Sequence, residues 1–199
     1  MRRRAAQVDE TRQRITEAAV RQHTSVGPAH TSISSVAEEA GVTRLTVYRH
    51  FADLDELFVA CMGHWSATHP GPDINSWTAI EPLESRAATA FGELYAWYEG
   101  VDEDLYPIYR DQDAMPTSAQ QALAAQNDAI AGAIVGSTEE GAGDGRRLWT
   151  AVAHHLADYW TWRSLVVERG LSPAEATAAA VSMLAAVAAE GRSEPGRSG

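Results

Sequence analysis

Residues 41 to 51, GVTRLTVYRHF, gather two arginines, two threonines, a tyrosine and a histidine beside Val47 and Phe51. On a helix that turns about 100° per residue, Val47 and Phe51 stand about 40° apart and form a stripe that faces a core. Leu45, Thr46 and Arg49 then point broadly the other way, with Arg44 and Tyr48 on one flank and His50 on the other. These groups suit duplex nucleic acid. Arginine donates two parallel bonds to guanine O6 and N7, threonine, tyrosine and histidine bond phosphate oxygens, and Leu45 or the Tyr48 ring fits a thymine methyl. A solvated amphipathic helix with incidental polarity has the same spacing, so the pattern alone leaves both readings open.

Such a helix needs a platform. Ser32 is a good N-cap for a helix that carries Ile33, Val36, Ala37 and Ala40 to a stop at Gly41. Only a tight turn fits before Thr43, which caps the next helix, Arg44 to Phe51. This is the helix-turn-helix arrangement, whose second helix can enter a major groove. A first helix from about Asp9 to Ser25 ends at Gly27-Pro28, and Asp53 caps a fourth from Leu54 to about Trp65. Past the turn-rich loop THPGPDINSW (68–77), helical spacing predicts segments at 82–99, 102–113, 116–136, 146–169 and 173–190, with a break at EEGAGDG (139–145). No period-two strand flanked by hairpin turns is found. The expectation is an all-α chain of about nine helices. Its parts are a helix-turn-helix domain with a basic arm at 1–52, a helical effector-binding and dimerisation domain at 53–190, and a disordered tail at 191–199.

The formal charge of −11 argues at first against a nucleic-acid partner. Its distribution answers that objection. Residues 1 to 51 hold eight arginines against five acids, net +3, leaving −14 for the rest. No apolar run approaches the ~20 residues of a membrane span and the N-terminus lacks a signal-peptide pattern, so the cytoplasm is the expected location. Cys61, the single cysteine, excludes an internal disulfide and reads as a small buried hydrophobe.

The run TRQRITEAAV…TSISSVAEEAGVTRLTVYRHFADLDELF resembles the DNA-binding domain of the TetR family of transcriptional regulators over roughly residues 10 to 65. TWRSLVVERGLSPAEA also looks like the last two helices of many members. The resemblance implies that Ser32 and Thr43 bond phosphates at helix N-termini and that Thr46, Tyr48 and His50 grip the backbone. Arg44, Leu45 and Arg49 become the candidates for base edges. Arg2, Arg3 and Arg4 read either as an arm for the minor groove or as a solubilising tail. The chain departs from the family pattern at Leu54, where a lysine is common, and at Gln22 and His23, where large apolar residues are usual. Asp53, Asp55 and Glu56 also place acids near the reading surface.

The remainder is rich in aromatic residues, most of which must be core. Tyr95, Tyr98, Tyr109, Trp149 and His154 are the candidates for lining an effector site, by the helices that serve this purpose in related proteins. His154 and Asp158, four apart, invite a metal or catalytic reading. No third ligand stands at a recognisable spacing and HExxH is absent, so a structural hydrogen bond or a protonation-sensitive pair suits them better. No nucleophile elbow, phosphate-cradling loop or carboxylate pair points to an enzyme, and no cofactor or metal is implied. Trp162, Leu165 and Val166, with Ala176, Ala180, Met183, Leu184 and Val187, suggest pairing with a second copy through the last two helices. The expected function is a homodimeric regulator, a repressor released from a palindromic duplex operator by a small-molecule effector. The alternative is a helical structural or adaptor protein with degenerate or ligand-independent DNA binding.

Overall fold

In the computed structural model, which describes residues 2–136 and 144–192, every regular element among the described residues is helical, including ten α-helices. They are α1 Arg2–Ser25, α2 Ile33–Glu39, α3 Arg44–His50, α4 Leu54–Thr68, α5 Ile74–Trp77, α6 Leu83–Arg110, α7 Thr117–Val135, α8 Asp144–Ala157, α9 Tyr159–Arg163 and α10 Pro173–Arg192. The chain divides into two compact units, one of residues 1–70 with 101–123 and one of 71–100 with 124–199. Within the first unit α4 packs on α1.

Local signals determine the first unit. The Ser32 hydroxyl accepts from the Ser35 amide at 3.1 Å and the Ser35 hydroxyl accepts from the Ser32 amide at 3.1 Å, a reciprocal cap that starts α2. Thr43 accepts from the Thr46 amide at 3.1 Å and starts α3. Ile15, Ala18, Ala19, Val36, Ala37, Val47, Phe51 and Leu57 bury against one another, with Cys61 among them. Burial pushes the Cys61 thiol up to about 12, so it stays a neutral core group.

Two departures from the family pattern find partners here. The Gln22 amide donates to Glu39 at 2.6 Å, and His23 is buried with its ring on Phe58. Phe58 in turn packs with Met115, Ala119, Met62 and Ile108, so His23 does the work of an aromatic core residue. Nearby, Arg110 donates to the carbonyl of Val26 at 2.8 Å and Asp111 accepts from the amide of Ala29 at 3.2 Å.

In the second unit, Arg86 is fully buried on α6. Its guanidinium donates to the carbonyls of Ile134 at 2.9 Å, Val135 at 3.0 Å and Ile80 at 2.9 Å, and meets Glu81 at 3.2 Å. The first two carbonyls end α7, where the helix dipole also favours a cation. Gly136 follows with φ +69°, and a Cβ there would lie 2.6 Å from Arg86 Cζ. Only glycine accommodates both demands. Ala176, Ala180, Leu184 and Ala188 are buried within the protomer, where α10 packs on α8.

Several sequence expectations need correction. The basic arm is the first turn of α1, which begins at Arg2 and not near Asp9, since RRRAAQV consists largely of good helix formers with no breaker. Part of the 68–77 loop forms α5, with Trp77 buried and its indole donating to Glu93 at 2.8 Å. The segments 82–99 and 102–113 are largely one helix, α6, which runs through Gly100 and contains Pro107. A glycine inside a helix costs only about 1 kcal/mol, too little to stop one that buries a long apolar face. The helix expected at 146–169 breaks at Asp158, whose carboxylate accepts from the Trp160 amide at 2.8 Å and starts α9. A π-helical turn, Ser164–Glu168, follows. Most of the break expected at 139–145 and the tail beyond Arg192 lie outside the described residues.

Candidate nucleic-acid interface

Val47 and Phe51 anchor α3 and are each 1% exposed, while Leu45 is 70% and Tyr48 48% exposed. Arg44 and Arg49 are exposed too, and His50 and Thr46 are half-buried. Ser32 and Thr43 are exposed at the starts of α2 and α3, and the Thr43 and Thr46 hydroxyls lie 2.9 Å apart. The eight residues singled out from sequence therefore all belong to the α2–turn–α3 segment, with Gly41 at φ +64° in its turn.

Electrostatics on this face are sorted by pairing. Arg21 bonds Glu39 at 2.6 Å, and Arg12 bonds Glu56 at 2.9 Å. Arg44 and Arg49 hold no ion pair among the described residues. Bonds from Gln22 and then Arg21 hold the Glu39 carboxyl below its usual range, and the Ala52 amide and then Arg12 do the same for Glu56. Asp53 is engaged as well, accepting from the Glu56 amide at 2.8 Å. Two of the acids near the reader are thus matched by cations that do not belong to α3, and the two α3 arginines remain available to phosphates or bases.

Arg12 was not among the candidates, yet it positions the reader. Its guanidinium donates to the carbonyl of His50, where α3 ends, pairs with Glu56 on α4, and lies 4.1 Å from the centroid of the Phe51 ring. No spacing rule links residue 12 to residue 50, so only the folded arrangement reveals it. Leu54 is exposed at the first position of α4 and offers no charge there.

The aromatic candidates have bonds and packing of their own. The Tyr95 hydroxyl donates to the carbonyl of Leu156 at 2.7 Å and the Tyr98 hydroxyl to that of Ala157 at 2.9 Å, so both cap the broken end of α8. Burial raises the Tyr95 hydroxyl above its ordinary pKa. Trp149 is buried on α8, and Tyr109 is buried in the first unit. His154 faces Asp128 at 3.5 Å, not Asp158, which caps α9. Among the described residues no group of three metal-ligating side chains is found, and no helix is long and apolar enough to cross a membrane.

Comparison with known proteins agrees with this geometry. The family model described as bacterial regulatory proteins, tetR family, matches residues 15–61. The chain is 34% identical over 115 residues to the HTH-type transcriptional regulator SrpR of Pseudomonas putida, a match over 51% of this chain and 53% of that one. It is also 34% identical to the uncharacterized HTH-type transcriptional regulator TtgW of the same species, over 51% of this chain and 84% of TtgW. The matched stretch thus spans about half the length of SrpR and most of TtgW. A crystal structure of a tetR-family transcriptional regulator from Streptomyces coelicolor shares the fold, with a TM-score of 0.61 at 21% identity over 92% of this chain and 82% of that one. With its capped α2–turn–α3 reader and these relatives, the chain belongs to the TetR family of bacterial regulatory proteins.

Proposed function

We propose that this protein is a homodimeric transcriptional regulator, a repressor that leaves a palindromic operator in the cytoplasm when a small-molecule effector binds. The observation that carries the reading is the exposed rim of α3, with Arg44 and Arg49 free of carboxylates and Leu45 and Tyr48 projecting beside them. Arg44, Leu45 and Arg49 read base edges, while Ser32, Thr43, Thr46, Tyr48 and His50 hold phosphates. Two copies pair through α8 and α10, where Leu148 and Met183 stay about half-exposed, and set their readers about one helical turn, ~34 Å, apart. The effector binds the aromatic unit near Tyr95, Tyr98, Trp149 and His154, and releases DNA only through its differential affinity for two reader spacings.

Selecting bound fragments from the source genome with purified protein tests this directly. A shared palindrome should emerge, and log affinity for it should fall steeply with log salt, the slope tracking the phosphates contacted. No enriched sequence and a flat salt response would leave the helical adaptor reading in its place.

A further inference from the structure

The tyrosine hydroxyls at positions 95 and 98 already donate to the carbonyls of Leu156 and Ala157. The indole N–H groups of Trp149 and Trp162 are buried and meet no acceptor among the described residues, with the residues 2% and 1% exposed. Leaving a buried donor unsatisfied is unfavourable by a factor of about ten or more, and native proteins retain few such groups. Trp162 is packed among aromatic rings. Its centroid lies 5.6 Å from that of Tyr98 and 5.7 Å from that of Tyr159. The backbone around it is irregular, with the break at Asp158 before it and the π-helical turn Ser164–Glu168 after it. Such turns are frequent at functional sites.

Charge narrows the ligand class. Arg86 is the one fully buried charged residue among the described residues of this unit, and three carbonyls and Glu81 already occupy its guanidinium. An anion brought into the aromatic cluster would find the fully buried cation of the described residues already occupied and would lose its hydration. A neutral ring is admitted by the same surroundings, provided that it carries an oxygen to accept from the indole.

We propose that Trp162 is a hydrogen-bond donor to the effector, and that the effector is a neutral, ring-bearing molecule with a carbonyl or ether acceptor. The inference rests on the effector-responsive reading above. It deepens that reading by assigning a donor residue and a chemical class.

Three probes of similar shape test it on the full chain: 2-acetylnaphthalene, 2-isopropylnaphthalene and 2-naphthoate. Calorimetry gives affinities, and 15N-labelled protein gives the indole N–H resonance of Trp162, assigned by its loss in Trp162→Phe. The ketone should bind at least about tenfold tighter than the hydrocarbon or the carboxylate and move that resonance downfield. Trp162→Phe should bind ketone and hydrocarbon alike. Equal affinities in the unaltered protein, a ketone preference that survives in Trp162→Phe, tightest binding of the naphthoate, or no binding of any probe would overturn the proposal. Should Trp162→Phe fail to fold, the unaltered protein still decides, since an indole N–H spectrum in which no resonance moves at saturating ketone, or equal affinities for ketone and hydrocarbon, has the same effect. Operator binding measured alongside separates the two levels. Retained DNA binding without ketone binding removes only the ligand class, whereas loss of both removes the regulator reading as well.

Discussion

The imidazole of His23 lies against the ring of Phe58, with the two centroids 4.6 Å apart and the planes inclined by 30°. Burial alone lowers the His23 pKa from an ordinary 6.5 to about 4, which makes it a neutral aromatic at physiological pH. Because the folded value lies below the unfolded one, its stability contribution is complete above pH 6.5 and is lost as pH falls toward 4. Between pH 7.5 and 4.5 urea unfolding should therefore show the unaltered protein losing about 2–3 kcal/mol more than His23→Phe. Parallel losses in the two proteins would show that the ring protonates freely while folded.

Arg86 and Gly136 should behave as one unit. Arg86→Ala removes the donor from the two carbonyls that end α7, and should destabilise by about 3–5 kcal/mol. Gly136→Ala suffers both a positive φ and a collision with the guanidinium. In the Arg86→Ala background only the backbone strain of about 1–2 kcal/mol remains. A double-mutant cycle by denaturant unfolding should show a coupling of at least about 1 kcal/mol, and strict additivity would contradict the geometry.

Tyr95→Phe and Tyr98→Phe each leave one carbonyl at the end of α8 without its donor. Thermal or urea unfolding should report a loss of about 1–2 kcal/mol for either change. An unchanged midpoint would mean that α8 satisfies those carbonyls in another way.

The division of labour on α3 can be read from duplexes of chosen and random sequence. Arg49→Ala should lower affinity for the operator by about 1–3 kcal/mol and blunt discrimination at one base pair. His50→Ala should weaken every duplex to a similar degree. Identical losses on both duplexes for Arg49→Ala would place that arginine on phosphate.

Much of the reader was legible because its instructions are local. Ser32 and Thr43 cap, Gly41 turns, and Val47 with Phe51 marks the buried side, all within twenty residues. The later helices were harder to read because their limits depend on distant partners. Gly100 looks like a stop yet lies within α6, while the break at Asp158 carries no glycine or proline. Asp158 invited pairing with His154 by spacing, but the end of α8 separates them and Asp128 takes that role. The polar departures from the family pattern, Gln22 and His23, are matched by Glu39 and Phe58, which lie far from them in sequence. Trp162 read as part of a pairing surface and is instead buried within the protomer, while Arg12 gave no signal at all, since its significance lies in what surrounds it across the fold.

Arg12 touches α3 and α4 from α1 through the His50 carbonyl, the Phe51 face and Glu56. With that side chain in place, α1, α3 and α4 are tied together at the end of α3. Under the proposed division of labour, a lineage acquiring a new operator would change the teeth, Arg44, Leu45 and Arg49, and leave the blade that carries them untouched. Drift in operator preference should accordingly be quick and confined to a few exposed positions, with residue 12 staying silent.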